Sequence, residues 1–105
     1  MKQGDLVLVP FPFTDLTGSK VRPALVLIGT PTDVTLAFIT TQLYWQEPSD
    51  VTLQPTALNG LKKPSLIRLS KLATVDTALL LGRLGELNTA ELTTVHHNLR
   101  QLFQL

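Results

Sequence analysis

Gly4 to Gly29 reads GDLVLVPFPFTDLTGSKVRPALVLIG. Two strongly apolar stretches, Leu6–Phe13 and Val21–Ile28, flank a polar turn from Thr14 to Lys20. Leu6-Val7-Leu8-Val9 is a β-type run, and Pro10 and Pro12 mark an edge or the strand's end. Thr17-Gly18-Ser19 is turn chemistry. Ala24–Ile28 is continuously apolar, as buried strands are. Between the turn and that run stands Arg22, directly before Pro23. Pro23 biases Arg22 toward extended geometry, at the start of a rigid strand. A charge in this position has two readings. It is a fork of donors held for phosphate oxygens, or a strand-end arginine that reaches water or pairs with Asp15.

Outward from this pair, Gly29–Asp33 is a turn and Val34–Leu43 a third strand rich in β-branched residues, carrying Thr40 and Thr41. Val51-Thr52-Leu53 is a short strand, and Asn59-Gly60 favours a turn with positive φ. Ser65–Val75 reads as a long strand whose facing is ambiguous, because Lys71 interrupts the more apolar set Ile67, Leu69, Ala73. Thr77–Leu81 fits strand or helix equally, and Gly82 and Gly85 punctuate the residues after it. The last segment is a helix. Asn88 is the N-cap, Glu91 completes a capping box, and Leu92, Val95, Leu99, Leu102 and Phe103 share one face. The expected fold is mainly β with α: a small β-barrel or strongly bent sheet closed by a C-terminal helix, one domain over residues 1–105.

The chain has 105 residues, no cysteine and only 16% charged residues against 44% hydrophobic. Ordinary soluble chains carry about 25% charged residues, and a small domain has proportionally more surface to solvate. Part of this surface is therefore expected to lie against an oligomeric or other partner. Disulfides, thiolate catalysis and cysteine-based zinc sites are excluded. No signal peptide or membrane-length apolar run is visible, so a cytoplasmic protein is expected. Net charge is only +1, but Lys62, Lys63, Arg68 and Lys71 fall in one stretch between Asp50 and Asp76 that holds no acid. Such a stretch is a mild electrostatic signal for phosphates.

Most routes to chemistry are absent. His96 and His97 are adjacent on a helix and diverge, which fits surface or packing roles. Carboxylates are scattered, and no phosphate-binding glycine loop occurs. Arg22 remains, with Thr40, Thr41 and Ser65.

The Gly-Asp strand, the loop and Arg22-Pro23-Ala24-Leu25-Val26 together resemble the N-terminal signature of the MazF/PemK family of toxin endoribonucleases. The resemblance continues in Ala37-Phe38-Ile39-Thr40-Thr41-Gln42, in Ser65-Leu66-Ile67 through Leu72-Ala73-Thr74-Val75-Asp76, and in Gly82-Arg83-Leu84-Gly85-Glu86-Leu87. It covers nearly the whole chain. It implies an SH3-like or gyrase-poison-like barrel forming a homodimer, and metal-independent, cofactor-free cleavage of single-stranded RNA at short motifs. It also implies a small antitoxin that neutralises the enzyme. By resemblance, Arg22 is the catalytic arginine and Thr40 its hydroxyl partner, and Pro12–Lys20 shapes the RNA entrance. Phe13, Thr14, Lys20, Thr41, Gln42, Ser65 and Lys71 are then the expected substrate-binding residues. Two departures stand out: the loop is more apolar and acidic than the family's usual Gly-rich, basic one, and Lys71 replaces a polar uncharged residue. Two rivals remain beside this reading. One is a gyrase-targeting toxin on the same fold, disfavoured because the only tryptophan, Trp45, is far from the C-terminus. The other is a barrel that binds without catalysis.

Overall fold

The computed structural model describes residues 1–11 and 20–105. Six strands form one antiparallel sheet: β1 (Asp5–Phe11), β2 (Lys20–Gly29), β3 (Asp33–Thr40), β4 (Val51–Leu53), β5 (Ser65–Asp76) and β6 (Gly82–Glu86). Their spatial order is β4-β5-β3-β2-β1-β6. The sheet curls into a half-barrel, and the helix α1 (Thr89–Phe103) packs on β4 and β5.

The apolar strands bury both faces. Leu6, Leu25, Leu27, Ala37, Ile39, Ile67 and Leu69 form a core with Val95 of α1. Val7, Val9, Ala24, Val26, Val34, Leu36 and Val75 form a second core on the opposite face, closed by Leu79 and Leu80. Period-2 alternation assigns neighbouring residues to opposite cores, which explains the unbroken apolar runs Leu6–Val9 and Ala24–Leu27, whereas Ile28, expected to be buried with them, is exposed near the strand's end. The helix is capped as expected: Asn88 Oδ1 accepts from the Glu91 amide at 2.7 Å, and Glu91 Oε1 from the Asn88 amide at 2.9 Å. Its apolar face is shorter than expected. Val95 is buried and Leu92 and Leu99 pack beside it, but Leu102 and Phe103 of the last turn stay exposed.

Three other segments differ from the sequence reading. The third strand ends at Thr40 rather than Leu43, because Thr40 Oγ1 accepts the Gln42 amide at 3.1 Å and turns the chain out of the ladder. Thr77–Leu79 is a 3-10 turn, capped by Asp76, whose carboxylate accepts the Ala78 amide at 2.8 Å. Gly82–Glu86 is an edge strand paired to β1 across a bulge at Leu6/Val7.

The long fifth strand resolves its own ambiguity. Against β3, Ala37 faces Leu72, but the next residue, Phe38, faces Arg68. Leu69, Ser70 and Lys71 thus leave the ladder together. Three extra residues are an odd number, so the strand's facing inverts across them. Ile67 and Leu69 join the helix-side core, whereas Ala73 and Val75, of the same parity, join the other.

Asn59 and Gly60 form the expected turn, with Gly60 at φ 72°. Asn59 is fully buried, and its amide accepts from Thr56 and Leu61 and donates to the Gln54 carbonyl. That satisfied group fixes the loop against which β6 rests: the Glu86 amide donates to the Leu58 carbonyl at 3.1 Å.

A charged clasp ties the N-terminus to β6. Asp5 is buried and accepts from the Lys2 amide (3.0 Å), Lys2 Nζ (2.9 Å) and Arg83 Nε (3.3 Å). Lys2 and Arg83 also reach Glu86 at 2.8 and 3.0 Å. Burial pushes the Asp5 carboxyl up, but the Lys2 and Arg83 bonds outweigh it and hold it below the usual carboxylate range. The Lys2 ammonium holds Glu86 below its ordinary value as well. A depressed carboxyl stabilises the fold above its unfolded pKa, and that contribution disappears as pH falls through the folded value. Stability is therefore expected to hold above about pH 4 and to fall below it. Asp5→Asn should melt earlier than the parent at pH 7, with a shallower decline below about pH 4. Equal slopes for the two proteins in thermal melts across that range would remove Asp5 from the acid limb.

Candidate functional site

The site lies on the sheet face away from α1. Arg22 stands opposite Val9 in the β1–β2 ladder, and Ala24 stands opposite Phe38 in the β2–β3 ladder. Carrying that second register two residues further sets Arg22 across from Thr40. Cross-strand partners share a face, so Phe11, Arg22, Phe38 and Thr40 project together from three adjacent strands. The Phe11 and Phe38 rings meet edge to face, with centroids 5.2 Å apart. The Arg22 guanidinium carbon sits 5.7 Å from the Phe11 centroid, a cation–π distance.

Phe11, Arg22, Phe38, Ile39, Thr40 and Lys71 line a recess of about 400 Å³. No carboxylate among the described residues lines it. Among the described residues Arg22 has no ion-pair partner, whereas Lys2, Arg68 and Arg83 each have two. Its Nε is buried with no acceptor among the described residues. A buried N–H without a partner is costly, and an acceptor supplied by a bound ligand or by the residues outside the described ones would satisfy it. Thr40 Oγ1 already accepts the Gln42 amide, which orients the hydroxyl and leaves its proton free to donate. Lys71 enters from the β5 bulge and adds a second cation.

The other expected site residues are dispersed. Thr41 and Ser65 line a neighbouring recess of about 320 Å³, with Leu8, Pro23, Lys62, Lys63 and Leu84. Ser65 is buried and its hydroxyl donates to the Lys63 carbonyl at 2.9 Å, so it shapes that recess rather than offering a free donor. Gln42 and Lys20 are exposed and line neither recess, and the Gln42 amide instead orients Thr40. Phe13, Thr14 and Asp15 lie outside the described residues. Sequence reasoning missed Phe11 and Phe38: Phe38 shares strand parity with Thr40, but only the cross-strand register sets the two rings beside Arg22. His96 bonds Gln3 at 2.8 Å, which fits the packing role read for it. Among the described residues no three His, Cys, Asp or Glu side chains gather as a metal site. No helix among them is long and apolar enough to cross a membrane.

Comparison with known families decides the identity. Residues 2–103 match the family model for the PemK-like, MazF-like toxin of type II toxin–antitoxin systems. The chain belongs to this family. As in other members of known structure, the fold is the curled sheet with its helix. The Mycobacterium tuberculosis toxin MazF-mt6 superimposes with a TM-score of 0.78 at 24% identity, over 96% of this chain and 97% of that one. An endoribonuclease from a mycobacterial species, solved in complex with its cognate antitoxin, matches at TM-score 0.75 and 17% identity, over 100% of this chain and 94% of that one. A further Mycobacterium tuberculosis toxin is 26% identical at TM-score 0.67, over 76% of this chain and 90% of that one. The comparison with curated proteins found no match. This PemK/MazF toxin thus keeps the family fold and builds its cationic recess on the helix-free face.

Proposed function

We propose that this toxin is a sequence-specific, metal-independent endoribonuclease that cleaves single-stranded RNA, acts as a homodimer in the cytoplasm and is neutralised by a cognate antitoxin. One observation carries the reading: Arg22 is stacked on Phe11, lacks a carboxylate partner among the described residues, and lines one recess with Thr40 and Lys71. The family supports an antitoxin partner, as do the neighbours called endoribonucleases, one of them solved with its antitoxin. Exposed Val21, Ile28 and Phe103 support burial of surface by a second protein chain.

RNA brings its own nucleophile, the 2′-hydroxyl. That oxygen forms a bond to the adjacent phosphorus as the bond from phosphorus to the 5′-oxygen breaks. The 2′-hydroxyl proton is lost and the departing 5′-oxygen gains one. The products are a 2′,3′-cyclic phosphate and a 5′-hydroxyl end. Negative charge grows on the phosphate oxygens in the transition state, and the Arg22 donors meet it in a recess walled by two aromatic rings. Thr40 donates to a phosphate oxygen and fixes the strand, and Lys71 adds charge without directional demand. Arg22 is assigned charge stabilisation rather than proton transfer, because a guanidinium gives up protons reluctantly.

The test incubates the purified toxin with a long single-stranded RNA in EDTA and identifies the new ends. Cyclic-phosphate and 5′-hydroxyl ends are expected, and a 2′-deoxy sugar at the mapped site should abolish cutting there. Cleavage lost in chelator, or undiminished at the deoxy position, contradicts the mechanism.

A further inference from the structure

Between β3 and β4 runs a loop, residues 41–50, that starts at the recess and carries the two most exposed aromatic side chains among the described residues. Tyr44 is 89% and Trp45 84% exposed. Rings of this size are expensive to leave in water. The loop is also firmly tied. Its entry is fixed by the bond from the Gln42 amide to Thr40. Its exit is fixed by Glu47, whose carboxylate accepts from Arg68 at 3.1 Å and from Ser70 at 2.9 Å. The Glu47 amide donates to Asp50 at 2.8 Å, and Asn98 of α1 donates to the carbonyls of Ser49 and Asp50. Tyr44 and Trp45 are thus held out between two anchored ends.

We propose that Tyr44 and Trp45 are a stacking platform for unpaired bases of the RNA strand whose phosphate occupies the Arg22–Thr40 recess. The inference rests on the endoribonuclease reading above. Three observations select nucleobases as the occupant. The first is charge: Arg22 and Lys71 line the adjoining recess, no carboxylate among the described residues does, and the nearby Glu47 is neutralised by Arg68. A strand drawn there by its phosphates must lay its bases on whatever flanks the recess. The second is reach. Tyr44 lies four positions beyond Thr40, so the aromatic pair begins no more than about 14 Å along the chain from the recess, a span of a few nucleotides. The third is setting. Exposed Gln42 and Gln46 flank the segment that carries the rings and exposed Leu43, and their amides suit base edges. The same anchor also links platform to recess, because Ser70, which holds Glu47, precedes Lys71 in the β5 bulge.

Trp45 is the only tryptophan of the chain, so its fluorescence reports on this loop alone. The probe is a labelled single-stranded RNA with 2′-O-methyl sugars, which carries no nucleophile. Binding is followed separately by label anisotropy and by Trp45 emission. Expected are saturable quenching that tracks the anisotropy, Kd raised about tenfold or more in Tyr44→Ala/Trp45→Ala, and recovery of most of that loss in Tyr44→Phe/Trp45→Phe. Melting temperatures should not change, because the rings are exposed. Binding without quenching, or an alanine double variant that binds like the parent, overturns the platform while leaving the enzyme assignment intact. A shift of Trp45 emission with protein concentration alone overturns it too, because a second copy then covers the rings. If the parent neither binds nor cuts RNA, the enzyme reading fails and the platform with it.

Discussion

Arg22→Ala is expected to lower the RNA-cleavage rate about 10²–10⁴-fold without loss of fold. Donors aimed at developing charge are worth about 10²–10³ each in comparable sites, and Arg22 supplies a fork of them beside a second cation. The substitution also removes a buried Nε that has no acceptor among the described residues, so the melting temperature should hold or rise slightly. Arg22→Lys keeps charge but loses the planar fork and its stacking on Phe11, and it should fall between parent and alanine. Thr40→Val keeps the strand's shape and removes the hydroxyl that accepts the Gln42 amide. A loss of about 10–100-fold is expected there, from the lost donor and the released loop entry. Initial rates on one RNA, with melts of each variant, check the series. A folded Arg22→Ala protein that cuts as fast as the parent would refute the assignment.

Gly85→Ala should be strongly destabilising. A Cβ at Gly85 would fall on the main-chain atoms of Leu58 and Asn59, well inside contact distance. Backbone held by the buried Asn59 amide has little room to yield. The cost is expected at about 3 kcal/mol or more, a drop in melting temperature on the order of 15 °C for a chain of this size. Gly82, three residues earlier in the same strand, supplies the control: nothing lies within 4 Å of its would-be Cβ, and Gly82→Ala should be close to neutral. Equal melts for the two variants would show that the Leu58–Asn59 turn does not pack against β6.

The two glycines show why this edge strand escaped sequence reading. Gly82-Arg83-Leu84-Gly85-Glu86 has no alternation and no β-branched residue, so nothing local specifies a strand. Pairing with β1, the Asp5 clasp and close approach to the Asn59 turn specify it instead. Elements near the two ends of the chain were easier. Leu6–Val9, Ala24–Ile28 and the Asn88/Glu91 box carry their signals within a few residues, because alternation, turn chemistry and capping are short-range interactions. Arg22 and Thr40 were legible as candidates through resemblance: each belongs to a short motif within a recognisable order of blocks. Phe11 and Phe38 were not, since their roles depend on which residues of three strands stand abreast.

The stretch from Gly4 to Gly29 by itself determined two core strands and an arginine fixed in extended backbone by the proline after it. The tertiary structure alone decided what that arginine faces. Register sets it among Phe11, Phe38 and Thr40, and three residues of β5 leave the ladder so that Lys71 comes to the same recess. A period-2 pattern records which side chains share a face only while the ladder is unbroken. Where an odd number of residues drops out, the facing inverts, and the count is set by how distant strands pack rather than by any property of the residues that drop out.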